Sequence, residues 1–200
     1  MTMLPEVQVV GAFHYSAPGC EGVQYRSVLV ARREDRDKTL ADFSGRRAAC
    51  NAVDSQSGYH ALRKMVAPLA QEGVFFSQVR LTGSHRQSLT AIANGSADLA
   101  AIDCVSWALF RRDDPALTEN LAVIGYSPAA PGLPLITAAG TPGDTVLCLR
   151  EALHELVASA RYAERCASAM ITDFSVLTRD DYGVLLKWHR EAAEQGVTQL

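Results

Sequence analysis

Several features are absent from this chain of 200 residues. It has no basic excess, since its formal net charge is −3, and this argues against nucleic-acid binding. No apolar run approaches the roughly 20 residues that a membrane-spanning helix needs. The first residues, from Met1 to Glu6, have neither the basic nor the apolar region of a secretory signal. The sequence as it stands therefore predicts a cytoplasmic protein with no membrane insertion.

Paired cysteines are absent as well. The five cysteines are scattered, and none belongs to a C-x-x-C pair. Such an odd, dispersed set argues against a disulfide framework and a zinc site, and it suits a reducing compartment. We therefore expect neither a metal site nor a cofactor.

The order of predicted elements favours an α/β fold. Strands and helices alternate along most of the chain, which is typical of parallel strands joined by right-handed crossovers. Two segments, 25–33 and 127–135, are placed to pass between two lobes. Residues 35–126 are expected to form the second lobe, and residues 1–34 with 127–200 a thinner first lobe. The sheet of the first lobe would use the segments that begin at Val7, Tyr25 and Leu133.

Three predicted strands of the middle segment each end in a polar turn that opens a helix. These turns are residues 54–58, 82–85 and 102–104. In α/β sheets, ligands bind outside the carboxyl ends of strands, where helix N-termini offer free N–H groups and a partial positive charge. If the three turns converge, they form a pocket for a small anion.

Serine and histidine side chains give the first two turns their chemistry. Ser55 and Ser57 place hydroxyls beside free N–H groups, and Gly58 lets a ligand approach closely. A cap that serves only its own helix is the more frequent role of such a serine. His85 lies in the first turn of a helix, where the dipole is expected to lower its pKa. Ser88, one turn later, is a weaker candidate.

The third turn contains a carboxylate. Asp103 is about as well explained as a plain N-cap as by a ligand role. A carboxylate beside a bound anion repels it unless a proton lies between them. Asp103 could therefore orient His85, or accept a hydrogen bond from a protonated ligand oxygen or a ligand amine.

The ordered set of motifs resembles the phosphate, phosphite and phosphonate substrate-binding proteins of ABC transporters. The resemblance is carried by residues 40–46, 54–59, 82–89 and 97–103, and it extends from about 25 to 137. It implies a type 2 periplasmic-binding-protein fold, with two α/β lobes and the ligand in a cleft. It also implies a non-catalytic protein that binds a small oxyanion and works with an ABC permease.

By position, the resemblance implies six ligand-binding residues: Tyr25, Ser55, Gln56, Ser57, His85 and Asp103. The serine-rich turn would hold the phosphonate oxygens together with the histidine, and the tyrosine would lie near the cleft. Asp103 falls close to the positions that contact the rest of the ligand. Aminophosphonate binders of this family have an acidic residue near 131–134, where this chain has Leu133. The identity of the ligand therefore stays open.

The start of the chain departs from the family pattern. Family members have βα units before a segment like 7–25, so about 60–80 residues of the first lobe are expected to be missing before Met1. An incomplete first lobe would expose a sheet edge and apolar surface, which a homodimer could cover. An upstream segment with an export signal would make the protein periplasmic.

Two other functions stay open at this point. One is a cytosolic anion sensor, which the missing export signal favours. The other is an enzyme of the cofactor-biosynthesis type on the same fold, using Cys104 beside Asp103 with His85 nearby. Against the enzyme, Cys104 lies in the first turn of a helix and has no oxyanion hole distinct from the anion site.

Overall fold

The computed structural model describes residues 6–200, and it contains ten strands and seven α-helices within that range. The strands are β1 Val7–Tyr15, β2 Gln24–Tyr25, β3 Ser27–Arg32, β4 Arg47–Cys50, β5 Gln78–Leu81, β6 Leu99–Asp103, β7 Leu121–Tyr126, β8 Ala130–Pro131, β9 Pro134–Ala138 and β10 Ile171–Ser175. The helices are α1 Ala61–Val66, α2 His85–Ala93, α3 Cys104–Asp113, α4 Pro115–Thr118, α5 Gly143–Ala158, α6 Ala163–Ser168 and α7 Gly183–Glu194. None of these helices combines the length and apolar character needed to cross a membrane.

The chain divides into two compact units. Unit 1 consists of the chain up to Tyr25 together with Ala129–Leu186, and unit 2 consists of Arg26–Pro128 and Lys187–Leu200. These bounds differ from the expected lobes in three stretches, because residues 26–34, 127–128 and 187–200 lie in unit 2. The chain also passes from unit 1 to unit 2 within α7, a crossing that was not expected.

Unit 2 is built on a five-stranded sheet with the strand order β5-β4-β6-β3-β7. β4 runs parallel to both β5 and β6, whereas β3 is antiparallel to β6 and β7. The α/β architecture is therefore confirmed, with parallel pairing of β4 to β5 and β6 and antiparallel pairing of β3 to its two neighbours. Because β4, β5 and β6 run the same way, their carboxyl ends lie at one edge of the sheet.

The core of unit 2 explains which strands are central. β6 is buried along its whole length and β3 along nearly all of it, as expected for strands covered on both faces. Leu29, Phe43, Leu62 and Leu99 are almost fully buried in one apolar cluster around this sheet. Burial of side chains of this size contributes roughly 1.5–3 kcal/mol each to folding.

A buried carboxylate, Asp98, connects three strands at the end of the sheet away from the carboxyl ends of β4, β5 and β6. Asp98 accepts two hydrogen bonds from the Arg47 guanidinium at 3.0 Å and one from Arg32 Nη2 at 2.9 Å. It also accepts the backbone N–H of Arg47. Although burial opposes ionisation, these hydrogen bonds hold the pKa of Asp98 well below its usual value. The network ties the starts of β4 and β6 to the end of β3.

Unit 1 contains an antiparallel sheet with the order β10-β1-β9. One expectation about it is wrong. The segment at Tyr25 does not join this sheet, because β2 pairs with β8 instead, and the chain then enters the sheet of unit 2 as β3. The third strand is β10, which was not predicted from the sequence. Two helices precede β10 in this unit, α5 ending at Ala158 and α6 ending at Ser168.

Candidate functional site

The first polar turn follows β4 and forms the start of a helix. Ser55 is the N-cap, and its Oγ accepts the Gly58 N–H at 3.0 Å. Residues Gln56–His60 form a wide π-helical turn that leads into α1, and such turns are frequent at functional sites. The N–H groups of Gln56 and Ser57 precede the first helical hydrogen bonds and have no acceptor within their own helix. They are available to an anion.

Asn51 explains why this turn needs a glycine. A Cβ atom on Gly58 would lie 1.9 Å from Asn51 Oδ1 and 3.1 Å from Ser55 Oγ. The Asn51 side chain therefore packs directly on the backbone of the turn. Sequence reasoning gave Asn51 no role, although its position directly after a buried strand was a signal.

The second turn follows β5 and is held by a network of hydroxyl groups. Ser84 caps α2 by accepting the Gln87 N–H at 3.2 Å. Thr82 Oγ1 lies 2.7 Å from Ser88 Oγ and 3.1 Å from the Cys50 carbonyl oxygen. Ser88 is fully buried, so it supports the turn and does not face a ligand, contrary to the weaker expectation for this residue.

The structure brings Ser57, His85 and Asp103 together. Ser57 Oγ lies 3.1 Å from His85 Nε2, and the same nitrogen lies 3.3 Å from Asp103 Oδ2. Ser57 and Asp103 are buried, and the His85 side chain is 14% exposed. The three predicted turns thus converge at the carboxyl ends of β4, β5 and β6, and we call these three residues the polar cluster.

The proton positions in the polar cluster follow from its geometry. An ionised carboxylate only accepts hydrogen bonds, so Asp103 favours a proton on His85 Nε2. With Nε2 acting as a donor, the hydroxyl hydrogen of Ser57 points elsewhere and can be donated to a ligand. His85 Nδ1 is buried without a hydrogen-bond partner, which disfavours a second proton on the ring. Burial lowers the pKa of His85, and the charge of Asp103 opposes this effect.

Asp103 has two roles within unit 2. Its Oδ1 accepts the Ser106 N–H at 2.8 Å and so caps α3, while its Oδ2 faces His85. The helix cap and the expected orientation of the imidazole are therefore both present in the geometry, while a ligand contact by Asp103 stays a prediction. The hydrogen bonds and ion pairs of residues 6–200 place no arginine or lysine on the polar cluster.

The other predicted ligand-binding residues lie in different settings. Gln56 is half-buried at the start of the same turn as Ser57. Tyr25 is buried in unit 1, where it pairs with Ala130. No group of three or more metal-ligating side chains occurs within the described residues. Ligand contact by the six predicted residues stays a prediction.

Several solved structures have the same fold as this chain. A binding-protein component of an ABC phosphonate transporter from Pseudomonas aeruginosa aligns with a TM-score of 0.79 and 20% identity, over 95% of this chain and 64% of that one. PhnD1 from Prochlorococcus marinus, in complex with methylphosphonate, aligns at 0.76 and 14% identity, over 95% of this chain and 72% of that one. An ATP-bound protein from Xanthomonas citri aligns at 0.72 and 13% identity, over 97% and 74%. The chain thus spans between about two thirds and three quarters of these structures.

The family model assigns the chain more closely. The model for periplasmic phosphonate-binding proteins of ABC transporters matches residues 9–182. The chain therefore belongs to this family of substrate-binding proteins, which confirms the resemblance found in the motifs. No curated protein gives a match.

Proposed function

We propose that the polar cluster and the N–H groups of the first turn bind a small oxyanion of the phosphonate or phosphate type. The main support for the proposal is that Ser57, His85 and Asp103 lie within hydrogen-bonding distance of one another at the carboxyl ends of β4, β5 and β6. Helix N-termini bind such anions through free N–H groups and the helix dipole, without any lysine. In unit 2 the donors are the N–H groups of Gln56 and Ser57 and the hydroxyl of Ser57.

The chemistry of Asp103 narrows the class of ligand. A buried carboxylate repels a fully ionised anion, but it accepts a hydrogen bond from a P–OH group or an amine. We therefore expect phosphate, phosphite and phosphonates to bind in forms that retain a proton. Sulfate carries no such proton at neutral pH and should bind poorly.

Thermal unfolding with and without anions tests this proposal. Phosphate, phosphite or methylphosphonate should raise the melting temperature, because a ligand that binds only the folded state stabilises it. Ser57→Ala and His85→Ala should each weaken binding about ten- to a hundredfold, the loss expected for one hydrogen bond to a charged oxygen. Ser168→Ala is the matched control, since this exposed serine lies on α6 in unit 1. The proposal fails if none of the three anions shifts the melting temperature.

Asp103→Asn tests the proton requirement separately. Asparagine is also a good N-cap, so α3 should keep its start. Without the carboxylate, discrimination between methylphosphonate and sulfate should fall. Unchanged discrimination would assign Asp103 to the helix cap alone.

We also propose that the protein delivers its ligand to an ABC permease from the periplasm. Membership of a transport family supports this assignment. Deletion of the gene should reduce uptake of radiolabelled methylphosphonate, and cell fractionation should recover the protein with the periplasmic contents. Normal uptake in the deletion strain would favour an anion sensor instead.

The polar cluster argues against an enzyme of the serine-histidine-aspartate type. In such a triad the carboxylate and the serine contact opposite ring nitrogens, whereas here both face Nε2. Cys104 is fully buried, so a thiol nucleophile would have no access to substrate. We therefore favour binding without catalysis.

A further inference from the structure

The C-terminal residues of unit 2 pack on the helix that carries Ser57. We call residues 187–200 the strap and residues 56–66 the binding helix. Val197 is buried in an apolar cluster with Ala67 and Ala192. The Leu200 N–H donates to the Tyr59 hydroxyl at 2.9 Å, so the end of the strap contacts the first turns of the binding helix.

Arg63 is the centre of this attachment. It is 2% exposed, yet the described hydrogen bonds and ion pairs give it no carboxylate partner. Its Nε donates to the Val197 carbonyl at 2.8 Å, and its Nη1 lies 2.9 Å from His189 Nδ1. A buried guanidinium is costly unless its donors are satisfied, so these acceptors on the strap hold Arg63 in place.

The hydrogen bond between Arg63 and His189 forms only when the histidine ring is neutral. A guanidinium has donors and no lone pair, and it stays charged at all ordinary pH values. His189 Nδ1 must therefore accept, which requires a neutral ring with its proton on Nε2. A second proton on the ring would make Nδ1 a donor, so that it would face the Arg63 N–H without an acceptor. The ring would also become positively charged and repel the Arg63 guanidinium. The ring of His189 is exposed, so solvent protons can reach it.

The surrounding charges do not relieve that conflict. The titratable and charged groups near His189 are Tyr59, His60, Arg63 and Lys64 on the binding helix and Lys187, Arg190 and Glu191 on α7. Glu191 is already paired with Lys64 at 2.6 Å and lies 3.7 Å from Lys187. The ring centroid of His60 is 5.7 Å from that of His189. Burial lowers the pKa of His60, the positive charges of Arg63 and of a protonated His189 lower it further, and the carboxylate of Asp54 opposes them.

We propose that the strap positions the binding helix and is released when His189 becomes protonated. While the ring of His189 is neutral, the Arg63 contact holds and fixes the turn that contains Gln56 and Ser57. Protonation of the ring breaks the contact and loosens both segments. The consequence for oxyanion affinity rests on the proposed function, but release of the strap does not.

Hydrogen exchange of the whole chain, measured by mass spectrometry, tests the strap. Between about pH 8 and about pH 5.5, peptides from 190–200 and 56–66 should lose about tenfold in protection after correction for intrinsic exchange. His189→Asn keeps an acceptor that cannot be protonated and should retain protection at both pH values. His189→Lys carries a permanent charge and should lose protection even at the higher pH.

His154→Asn is the matched control. This exposed histidine lies on α5 in unit 1, and its loss should leave the acid response of the strap unchanged. The proposal is overturned if the wild-type peptides are equally protected at both pH values, or if His189→Asn loses as much protection as wild type. The wild-type comparison decides the matter even if a variant folds poorly.

Titration with methylphosphonate separates this proposal from the proposed function. If methylphosphonate binds, its affinity should fall on acidification in wild type more than in His189→Asn. If it does not bind at either pH, the proposed function is weakened. The hydrogen-exchange experiment still tests whether protonation releases the strap.

Discussion

At His85 one ring nitrogen faces both a hydroxyl and a carboxylate, so the protonation state of the ring decides what Ser57 can donate. Burial lowers the pKa of this histidine in the folded protein. The unfolded chain therefore binds a proton more readily than the folded chain. The stabilising contribution is present above the ordinary pKa of histidine and is lost as the pH falls through the lowered folded value.

The free energy of unfolding should accordingly fall less in His85→Gln than in wild type between about pH 7.5 and about pH 5. Glutamine fills similar space but does not titrate. Urea denaturation at a series of fixed pH values measures the two slopes. Equal slopes would mean that His85 is protonated alike in the folded and unfolded states.

Gly58 lies where the structure leaves no room for a side chain. Gly58→Ala should lower the free energy of unfolding by about 1–3 kcal/mol, because its Cβ would overlap the Asn51 side chain. Gly143→Ala is the control, since a Cβ there meets nothing within 4 Å and alanine favours the helix by up to about 1 kcal/mol. Urea denaturation compares the two variants. If both behave alike, Asn51 moves aside without cost.

At the scale of elements, Asp98 connects the starts of β4 and β6 to β3. Asp98→Asn should cost about 1.5–3 kcal/mol in the free energy of unfolding at neutral pH, as expected for lost hydrogen bonds to charged groups. Because the pKa of Asp98 is held low in the folded state, the loss should shrink as acid protonates the wild-type carboxylate. Asp113→Asn is the control, since Asp113 forms an exposed pair with Arg112 and its replacement should change the free energy of unfolding little.

Local sequence signals predicted the elements that form the polar cluster. Ser55 and Asp103 are the expected helix caps, Ser84 is a third, and each accepts a backbone N–H three residues later. The convergence of their turns followed from three strands of like direction. The hydrogen bonding of His85 was not predictable, because the choice of ring nitrogen depends on side-chain geometry that motif spacing does not contain.

Elements that depend on distant partners were harder to predict. The segment that begins at Tyr25 is divided between two sheets, since Tyr25 pairs with Ala130 whereas Ser27 pairs with Asp103. β10 contains Asp173 and follows Met170, a non-glycine residue with positive φ, so its local pattern is weak. It becomes a strand through pairing with β1. Strand direction in unit 2 likewise depends on long-range pairing of β3 with β6 and β7.

At the scale of the whole described chain, residues 6–200, apolar surface is covered unequally. Unit 2 contains the large buried cluster around Leu29 and Leu62. In unit 1, by contrast, β9 pairs only with β1 among the described strands, and α5 buries only Val146 fully. Leu133, which directly precedes β9, is 50% exposed, and Ile136, within β9, is 44% exposed. An edge strand with exposed apolar side chains is a surface on which another strand can pair.

We expect a second copy of the chain to cover this edge, with β9 of one copy antiparallel to β9 of the other. Sedimentation velocity should then show self-association that increases with protein concentration. Ile136→Lys should shift the protein to monomer, because a charged side chain on an edge strand opposes pairing. Val74→Lys is the control, since Val74 is 64% exposed but lies in unit 2. A monomer at every concentration, or equal effects of the two lysines, would show that β9 is not the surface through which copies associate.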